Sequence, residues 1–376
     1  MKKSGLWIVL VLFVCSAFPV IAGPSVGEIT FVTGDITITR NGAVIQASRI
    51  GIGDTLENYD LIRTGSRGKM ECTITTPQRQ RVRLKIDPNT AFTVELSRLS
   101  NGGEQTSLEM VSGTVALNVN PVTGNNTVQV RTRTAAMGVR GTNFRVSTAP
   151  TEDLLVTCDE GKVYCTDEAG KSLFAEPGAV VEKIADSGAF SSYKVTPEEL
   201  DKYSQGWIER RLELFKSNAS RAIAGFAIRF DGAWTKVAAA YQDLLQKKSI
   251  IDKWMEQDKQ GQAPQTGEVL QEKRQIIGTL FKAKAALVIF ERVYFRLLEL
   301  EYYFSQGYGS GDVKPGLSIK QFFTQLEAKK AEIERAIATI KFVMKLYALR
   351  NGGYFPVDAM GLSGDSMFDN GGSFFD

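Results

Sequence analysis

The sequence predicts a multidomain protein in which an all-β half, solenoid-like or a sandwich, precedes an α-helical bundle or helical hairpin. From residue 23 to about residue 185, apolar and polar residues alternate with period two between Gly, Asn and Asp turn signals, which is typical of half-buried strands. From residue 186 to 350, helix-start signals and seven-residue apolar spacing replace that pattern. Residues 1–22 and 351–376 follow neither pattern.

The strand pattern is clearest near residue 84, where Val82, Leu84 and Ile86 alternate with Arg83 and Lys85. Because a strand places successive side chains on opposite faces, we expect one set in the core and the other in water. No segment with helical spacing interrupts the β half. An antiparallel sandwich, a barrel and a β-solenoid all fit this pattern, and periodicity does not choose among them.

Several short motifs occur in a fixed order along the β half. They include Gly34-Asp35-Ile36-Thr37-Ile38, Ile62-Arg63-Thr64-Gly65 and Val111-Ser112-Gly113-Thr114-Val115. The most specific segment contributes Gly138, Val139, Arg140, Gly141, Thr142 and Phe144. In this order the motifs resemble the FecR domain family over residues 26–184.

The resemblance implies a periplasmic β fold, solenoid-like in family members, and it supplies no catalytic residues. Members that regulate sigma factors have a sensing or interaction role, and they carry a cytoplasmic helical region before their membrane span. Only Met1 to Gly5 precede the first apolar run here, so we expect no anti-sigma region. Gly138 and Gly141 favour a turn, and we expect Arg140 between them to stabilise that turn through hydrogen bonds to backbone carbonyls or a carboxylate.

The N-terminal segment predicts export. Two lysines precede the apolar run Leu6–Val14, and the short side chains that follow suit cleavage between Ala22 and Gly23. The mature chain would then be periplasmic or secreted, with no transmembrane segment. The lower-ranked alternatives are retention of this segment as a membrane anchor and attachment of a lipid at Cys15.

The composition excludes several classes of function. The chain contains no histidine, the usual general base near neutral pH and the commonest transition-metal ligand. Its formal net charge is only +3, whereas nucleic-acid binding requires surplus Lys and Arg to displace counterions from phosphates. We find no nucleophile, phosphate-loop or dinucleotide motif, and we predict no catalytic residue, cofactor, metal ion or nucleic-acid partner.

The cysteines allow two arrangements. After cleavage the chain keeps Cys72, Cys158 and Cys165. Cys158 and Cys165 flank the turn Asp159-Glu160-Gly161-Lys162, so they are candidates for a disulfide in an oxidising compartment. The alternative is three reduced cysteines that pack as small apolar side chains.

The helical half begins at Thr196-Pro197-Glu198-Glu199, where the threonine and the last glutamate predict a capping box. Gly225 and Gly232 predict a break in the helix that follows. The last two helices carry seven-residue spacing and are joined by Gly307–Gly311, which predicts a coiled-coil-like antiparallel pair. Their seam either fills a bundle core or recruits a partner helix. Residues 351–376 contain no Lys or Arg and predict a disordered acidic tail.

We therefore predict a non-catalytic, exported FecR-type protein that binds or scaffolds at the bacterial cell envelope. The alternative is a periplasmic signal-sensing component that passes a state to a membrane partner. A candidate binding face for an envelope protein or an anionic envelope polymer consists of Arg79, Arg81, Arg83, Arg131 and Arg133. The other interpretation is a solvated face that nearby glutamates balance.

Overall fold

The computed structural model describes residues 25–40, 43–76, 78–99, 102–122, 124–139, 141–260 and 266–356. Strands fill the first part of these ranges and helices the second, so the predicted order of a β part and an α part is confirmed. Three predictions lie wholly or partly outside the described residues: the signal segment with its cleavage site, the conformation of Arg140, and the tail from residue 357 onward. Within the described start of the predicted tail, Phe355 is fully buried in the helical core and the Tyr354 hydroxyl donates to Glu104 at 2.6 Å.

Short strands with frequent turns make up the β part. In the described residues these are β1 (Ser25–Thr33), β2 (Ile36–Arg40), β3 (Ala43–Gln46), β4 (Thr55–Glu57), β5 (Leu61–Thr64), β6 (Lys69–Thr75), β7 (Arg81–Ile86), β8 (Ala91–Arg98), β9 (Glu104–Val119), β10 (Thr127–Arg131), β11 (Ala135–Val139), β12 (Asn143–Thr148), β13 (Leu154–Glu160), β14 (Val163–Asp167), β15 (Ser172–Ala175), β16 (Ala179–Lys183) and β17 (Phe190–Lys194).

The strands form two open sheets that share β9. Sheet A contains β1, β4, β6, β7, β12, β13, β16 and β17, and sheet B contains β2, β3, β5, β8, β10, β11, β14 and β15. The first half of β9 pairs with β8 and β10 in sheet B, and its second half pairs with β7 and β12 in sheet A. Gly113 lies between the halves with φ of +86°, where a side chain would be strained.

Alternation of side chains builds the core of the β part. Along β7, exposed and buried residues alternate strictly, and the buried Leu84 belongs to the same apolar cluster as Ile29 and Cys72 of sheet A. Sheet B contributes residues such as Phe92 and Met137 to that cluster. One core therefore lies between the two sheets, and each sheet has an outer face directed away from it.

The α part consists, in the described residues, of five α-helices and one short hairpin. The helices are α1 (Leu200–Ser217), α2 (Ala219–Leu245), α3 (Lys248–Lys259), α4 (Thr266–Ser305) and α5 (Ile319–Leu349), and the hairpin is β18 (Asp312–Lys314) with β19 (Leu317–Ser318). No helix in the described ranges combines the length and apolar content that crossing a membrane requires.

Two predictions about helix ends and breaks are wrong. Helix α2 runs through Gly225 and Gly232 without a break, because burial of Phe226 and Phe230 beside them offsets the cost of about 1 kcal/mol for each helical glycine. The predicted capping box at Thr196 is absent, because a 3₁₀ turn over Pro197–Glu199 precedes α1. A full capping box instead begins α5, where the Ser318 hydroxyl accepts from the Gln321 backbone N–H at 3.2 Å.

The apolar seam residues of the last two helices are buried, and part of the seam faces the β part. Ile276 and Phe290 of α4 and Ile333 of α5 lie in one cluster, which also contains Tyr59 and Leu61 of the β part. Helix α4 packs more extensively on α2 than on α5. The apolar side chains of the seam are therefore buried within the chain, against α2 and sheet B.

Candidate functional site

The predicted arginine face is partly formed, on the outer face of sheet A. Arg81 and Arg83 are exposed on β7, while Val82, Leu84 and Ile86 between and after them are buried. Arg79 is also exposed, but it precedes the strand, in a turn where its φ is +65°. Only Arg81 and Arg83 therefore project side by side from the strand, and we call this pair the arginine face.

The residues directly opposite the arginine face on adjoining strands are uncharged, and the diagonal neighbour Glu71 of β6 is paired with Lys85 at 3.5 Å. Arg81 lies opposite Thr75, and Arg83 lies between Thr73 of β6 and Asn118 of β9. Among the described residues, neither guanidinium makes an ion pair or a side-chain hydrogen bond. Two positive charges are therefore fully available to solvent on a polar surface.

Arg131 and Arg133 lie elsewhere, on and just beyond β10 in sheet B. The Arg131 side chain is 13% exposed, its Nε donates to Gln129 at 3.0 Å, and it pairs with Glu109 at 3.7 Å. Arg133 pairs with Glu152 at 2.6 Å. The structure therefore does not join these two arginines to the arginine face, because carboxylates of the same domain already hold them.

The glycine-rich family motif connects the two sheets. Gly138 and Val139 end β11 in sheet B, and the buried Phe144 enters the core from β12 in sheet A. Gly141, between them, has φ of +77°, and a Cβ there would lie 2.9 Å from the Pro121 Cα. The Thr142 hydroxyl is buried and has no hydrogen-bond partner among the described residues. This segment has the structural role of a close turn between sheets.

The three cysteines of the described residues are free thiols and are buried. Burial raises the pKa of Cys72 to about 12 and that of Cys158 to about 11, and it raises the pKa of Cys165 above its usual range. This is the arrangement expected of reduced, apolar side chains. The disulfide between Cys158 and Cys165 stays a prediction.

A charged interface between the β part and the helices was not found from the sequence. Buried lysines of α5 and α4 form ion pairs with glutamates of the β part: Lys345 pairs with Glu57, and Lys284 pairs with Glu95 at 2.5 Å. Lys341 donates to the Thr93 hydroxyl at 3.1 Å.

Arginines of α4 extend the same interface. Arg292 pairs with Glu109 at 3.2 Å, and the Arg296 guanidinium donates to the Val111 carbonyl at 2.9 Å. In these contacts the sheet contributes carboxylates and the helices contribute lysines and arginines, although the interface also contains Glu291 of α4, which pairs with Lys341, and Arg63 of β5. The sequence contains one indication of this interface: Lys341 and Lys345 lie one helical turn apart within an otherwise mainly apolar stretch of α5.

Comparison with known families gives a match within the β part. The family model described as FecR protein matches residues 60–164. The resemblance to the FecR family is confirmed. The matched FecR domain runs from the residue before β5 into β14, so it contains the arginine face, Glu95 and Glu109. The helices lie outside the match.

Solved structures offer a weaker likeness. Two crystal structures of a protein from Parabacteroides distasonis ATCC 8503, described provisionally as an anti-sigma factor, match with 22% sequence identity and a TM-score of 0.31 each. The matches cover 39% of this chain and 65% and 64% of those chains, just under two thirds of their length. At this TM-score the likeness does not define a shared fold. No curated protein matches the chain.

Proposed function

We propose that this protein is an exported, non-catalytic binding protein of the bacterial cell envelope, periplasmic or secreted after cleavage between Ala22 and Gly23. Its FecR domain binds an acidic partner, an envelope protein or an anionic polymer, through the arginine face. The observation that carries the proposal is the exposure of Arg81 and Arg83, neither of which forms an ion pair with a described carboxylate.

The geometry suits a partner with repeated negative groups. Alternate residues of a strand are about 7 Å apart, so the two guanidinium groups can engage two successive anionic groups on one partner chain. A guanidinium binds a carboxylate or a phosphate through paired hydrogen bonds. Thr73, Thr75 and Asn118 surround the pair with further polar side chains.

The proposal includes the finer description of the fold. Along the chain, single strands and strand pairs alternate between sheets A and B, which favours a solenoid-like FecR domain, with a sandwich as the alternative. The helices then form a bundle in which α4 contacts β9 and α5 reaches β2 on the outer face of sheet B, while α1 packs on β13 of sheet A.

The test replaces both arginines with glutamine in the full chain and measures co-sedimentation with isolated cell envelopes. Glutamine keeps the aliphatic stem and the polarity of the face. The matched control replaces Lys329 and Arg335, which are exposed on α5 and make no ion pair with a described residue, and it changes the net charge equally. We expect Arg81→Gln/Arg83→Gln to weaken sedimentation and the control to leave it unchanged.

Salt provides the second measurement. The Debye length falls from about 30 Å at about 0.01 M to about 8 Å at about 0.15 M ionic strength. We expect wild-type binding to decrease over this range and the residual binding of the arginine variant to change little. Equal sedimentation of wild type and variant at low salt would exclude the arginine face as the binding site.

A signal-sensing function is the second candidate, and the charged interface favours it. Helices α4 and α5 dock on the FecR domain through ion pairs as well as through apolar contacts with Tyr59 and Leu61, so a charged partner that binds the same glutamates would weaken their docking. A sensor would transmit partner binding at the FecR domain to α5, whereas a scaffold would not. Amide hydrogen exchange of α5 with and without envelope fragments separates the two, because only a sensor changes the exchange rate of α5.

A further inference from the structure

A half-open cavity of about 160 Å³, lined by both polar and apolar side chains, lies where helix α4 meets the FecR domain, apart from the arginine face. Its lining includes Arg63, Ser66, Asn89, Ser112, Phe295 and Tyr302. A single buried water needs about 10–15 Å³, so the cavity is far larger than a hydration site. It is smaller than the pockets of about 300–1,000 Å³ that hold drug-sized ligands. Its size therefore suits a small molecule.

The strand register places Arg63 in this cavity. On β5, Ile62 points into the core between the sheets, so Leu61 and Arg63 point the other way, toward the helices. The Arg63 guanidinium lies over the Phe295 ring, 5.5 Å from its centroid. Backbone pairing with β2 and β8 fixes the position of Arg63 on the strand, and the ring packs against its guanidinium.

Arg63 lacks the partner that other arginines of this interface have. Arg292 and Arg296 both pair with carboxylates, at 3.2 Å and 2.5 Å. Within the described ranges, the Arg63 guanidinium donates no hydrogen bond and lies within 4.0 Å of no carboxylate oxygen. Desolvation lowers the pKa of Arg63, and the carboxylates of Glu301 and Glu334 interact with its charge only at longer range. The half-buried guanidinium therefore has donor groups that an anion in the cavity can accept from.

Other lining groups can also donate hydrogen bonds. The side chains of Ser66, Asn89 and Tyr302 make no hydrogen bond with another described residue. The carboxylate in the lining, Glu299, pairs with Arg296 at 2.5 Å and is thereby compensated. The cavity thus combines one uncompensated cation with three free polar groups, which favours a negatively charged ligand.

We propose that this cavity binds a small anion that carries a carboxylate or a phosphate group. Arg63 forms paired hydrogen bonds with the anionic group, and Ser66, Asn89 and Tyr302 donate to its remaining oxygens. Tyr302 is 43% exposed and Ser66 is exposed, so the ligand enters between the turn after β5 and α4. Because it contacts both the FecR domain and α4, the bound anion stabilises their docking.

The test is calorimetric titration of the full chain with sodium phosphate and, separately, with sodium succinate at fixed ionic strength. Succinamide is the uncharged control. We expect a dissociation constant of about 1 mM or lower for one of the anions, and no binding of succinamide. The tighter of the two anions distinguishes a phosphate ligand from a carboxylate ligand.

Two variants localise the binding. Arg63→Gln removes the cation, and we expect affinity to fall by about tenfold or more. Arg67→Gln is the matched control, because the Arg67 side chain is 82% exposed and pairs with Asp35 at 3.5 Å on the surface. It should bind as wild type does. Equal affinity of Arg63→Gln and wild type, or no binding of either anion at about 10 mM, would overturn the proposal.

Stability measurements separate a ligand-binding arginine from a structural one. Without added anion, Arg63→Gln should unfold at the same or a higher urea concentration than wild type, since it removes an unpaired, partly desolvated charge. If Arg63→Gln fails to fold, the arginine is structural and the proposal fails, unless Ser66→Ala and Tyr302→Phe each weaken anion binding. Each of these two removes one hydroxyl, and affinity should fall by about threefold to tenfold.

Discussion

Replacing Lys345 with methionine would leave the Glu57 carboxylate buried against an apolar side chain. The two side chains are 6% and 5% exposed, and they join α5 to the end of β4 across 288 residues of sequence. Removing one partner of a buried ion pair costs about 3–5 kcal/mol, because the other charge stays desolvated. Arg40 lies 3.4 Å from Glu57 and compensates part of this charge. We therefore expect a loss of about 3 kcal/mol in the free energy of unfolding.

Urea unfolding measures this loss, and a double variant isolates the pair. The double variant Lys345→Met/Glu57→Gln also removes the negative charge of Glu57, so we expect it to recover at least about 1 kcal/mol of the lost stability. Lys330→Met is the matched control, because Lys330 forms an exposed pair with Glu327 one helical turn away on the same helix. It should change stability by less than about 0.5 kcal/mol.

The same experiment tests whether the two parts unfold together. In the described chain, tryptophan occurs only at Trp207, Trp234 and Trp254, all in helices, so fluorescence reports the α part. Circular dichroism reports both parts. Because Tyr59 and Leu61 share a core with the helices, we expect both signals to shift equally. A loss under about 1 kcal/mol, or additive effects in the double variant, would refute the role given to the ion pair.

Two further predictions concern the β part. Gly113→Ala should lower the free energy of unfolding in urea by about 3 kcal/mol or more, because φ at Gly113 is +86° and a Cβ would lie 2.5 Å from the Thr90 Cα. Gly170→Ala is the control: its φ of +80° is similar but no atom lies within 4 Å, so it should cost only about 1–2 kcal/mol. Ellman's reagent at about pH 8 should find no reactive thiol in the folded chain that starts at Gly23, since burial raises the cysteine pKa values, and three reactive thiols after unfolding. If Cys158 and Cys165 form a disulfide, only one thiol should react after unfolding.

The strands could be predicted from local sequence patterns, whereas features that depend on packing between distant segments could not. The alternation along β7 was read correctly because period two depends only on neighbouring residues. The break at Gly225 and Gly232 was wrong because tertiary burial of α2 outweighs local propensity. Separation of the sequence into domains near residue 185 stays a prediction, and the shared core argues that the parts depend on each other.

The candidate sites show the same limit. The exposure of Arg81 and Arg83 followed from the strand pattern, but the ion pairs of Arg131 and Arg133 did not, because Glu109 and Glu152 come from other segments. Sequence spacing contains no information on pairs such as Lys284 and Glu95, which are 189 residues apart. Arg63 was read only as part of a family motif, since an empty space beside it exists only in the folded chain.

Charge contributes to the docking of α4 and α5 on sheet B, whereas α1 packs on β13 and β16 of sheet A through an apolar cluster that includes Trp207. The helix surface that docks on sheet B carries Lys284, Arg292 and Lys341, and sheet B offers Glu95 and Glu109 to it. The arginine face on sheet A has the same sign as this helix surface, so docking there would place like charges together in a desolvated interface, at a cost of several kcal/mol. The basic surface of α4 and α5 therefore does not favour docking on the arginine face, and an acidic partner can bind there while these two helices remain docked on sheet B.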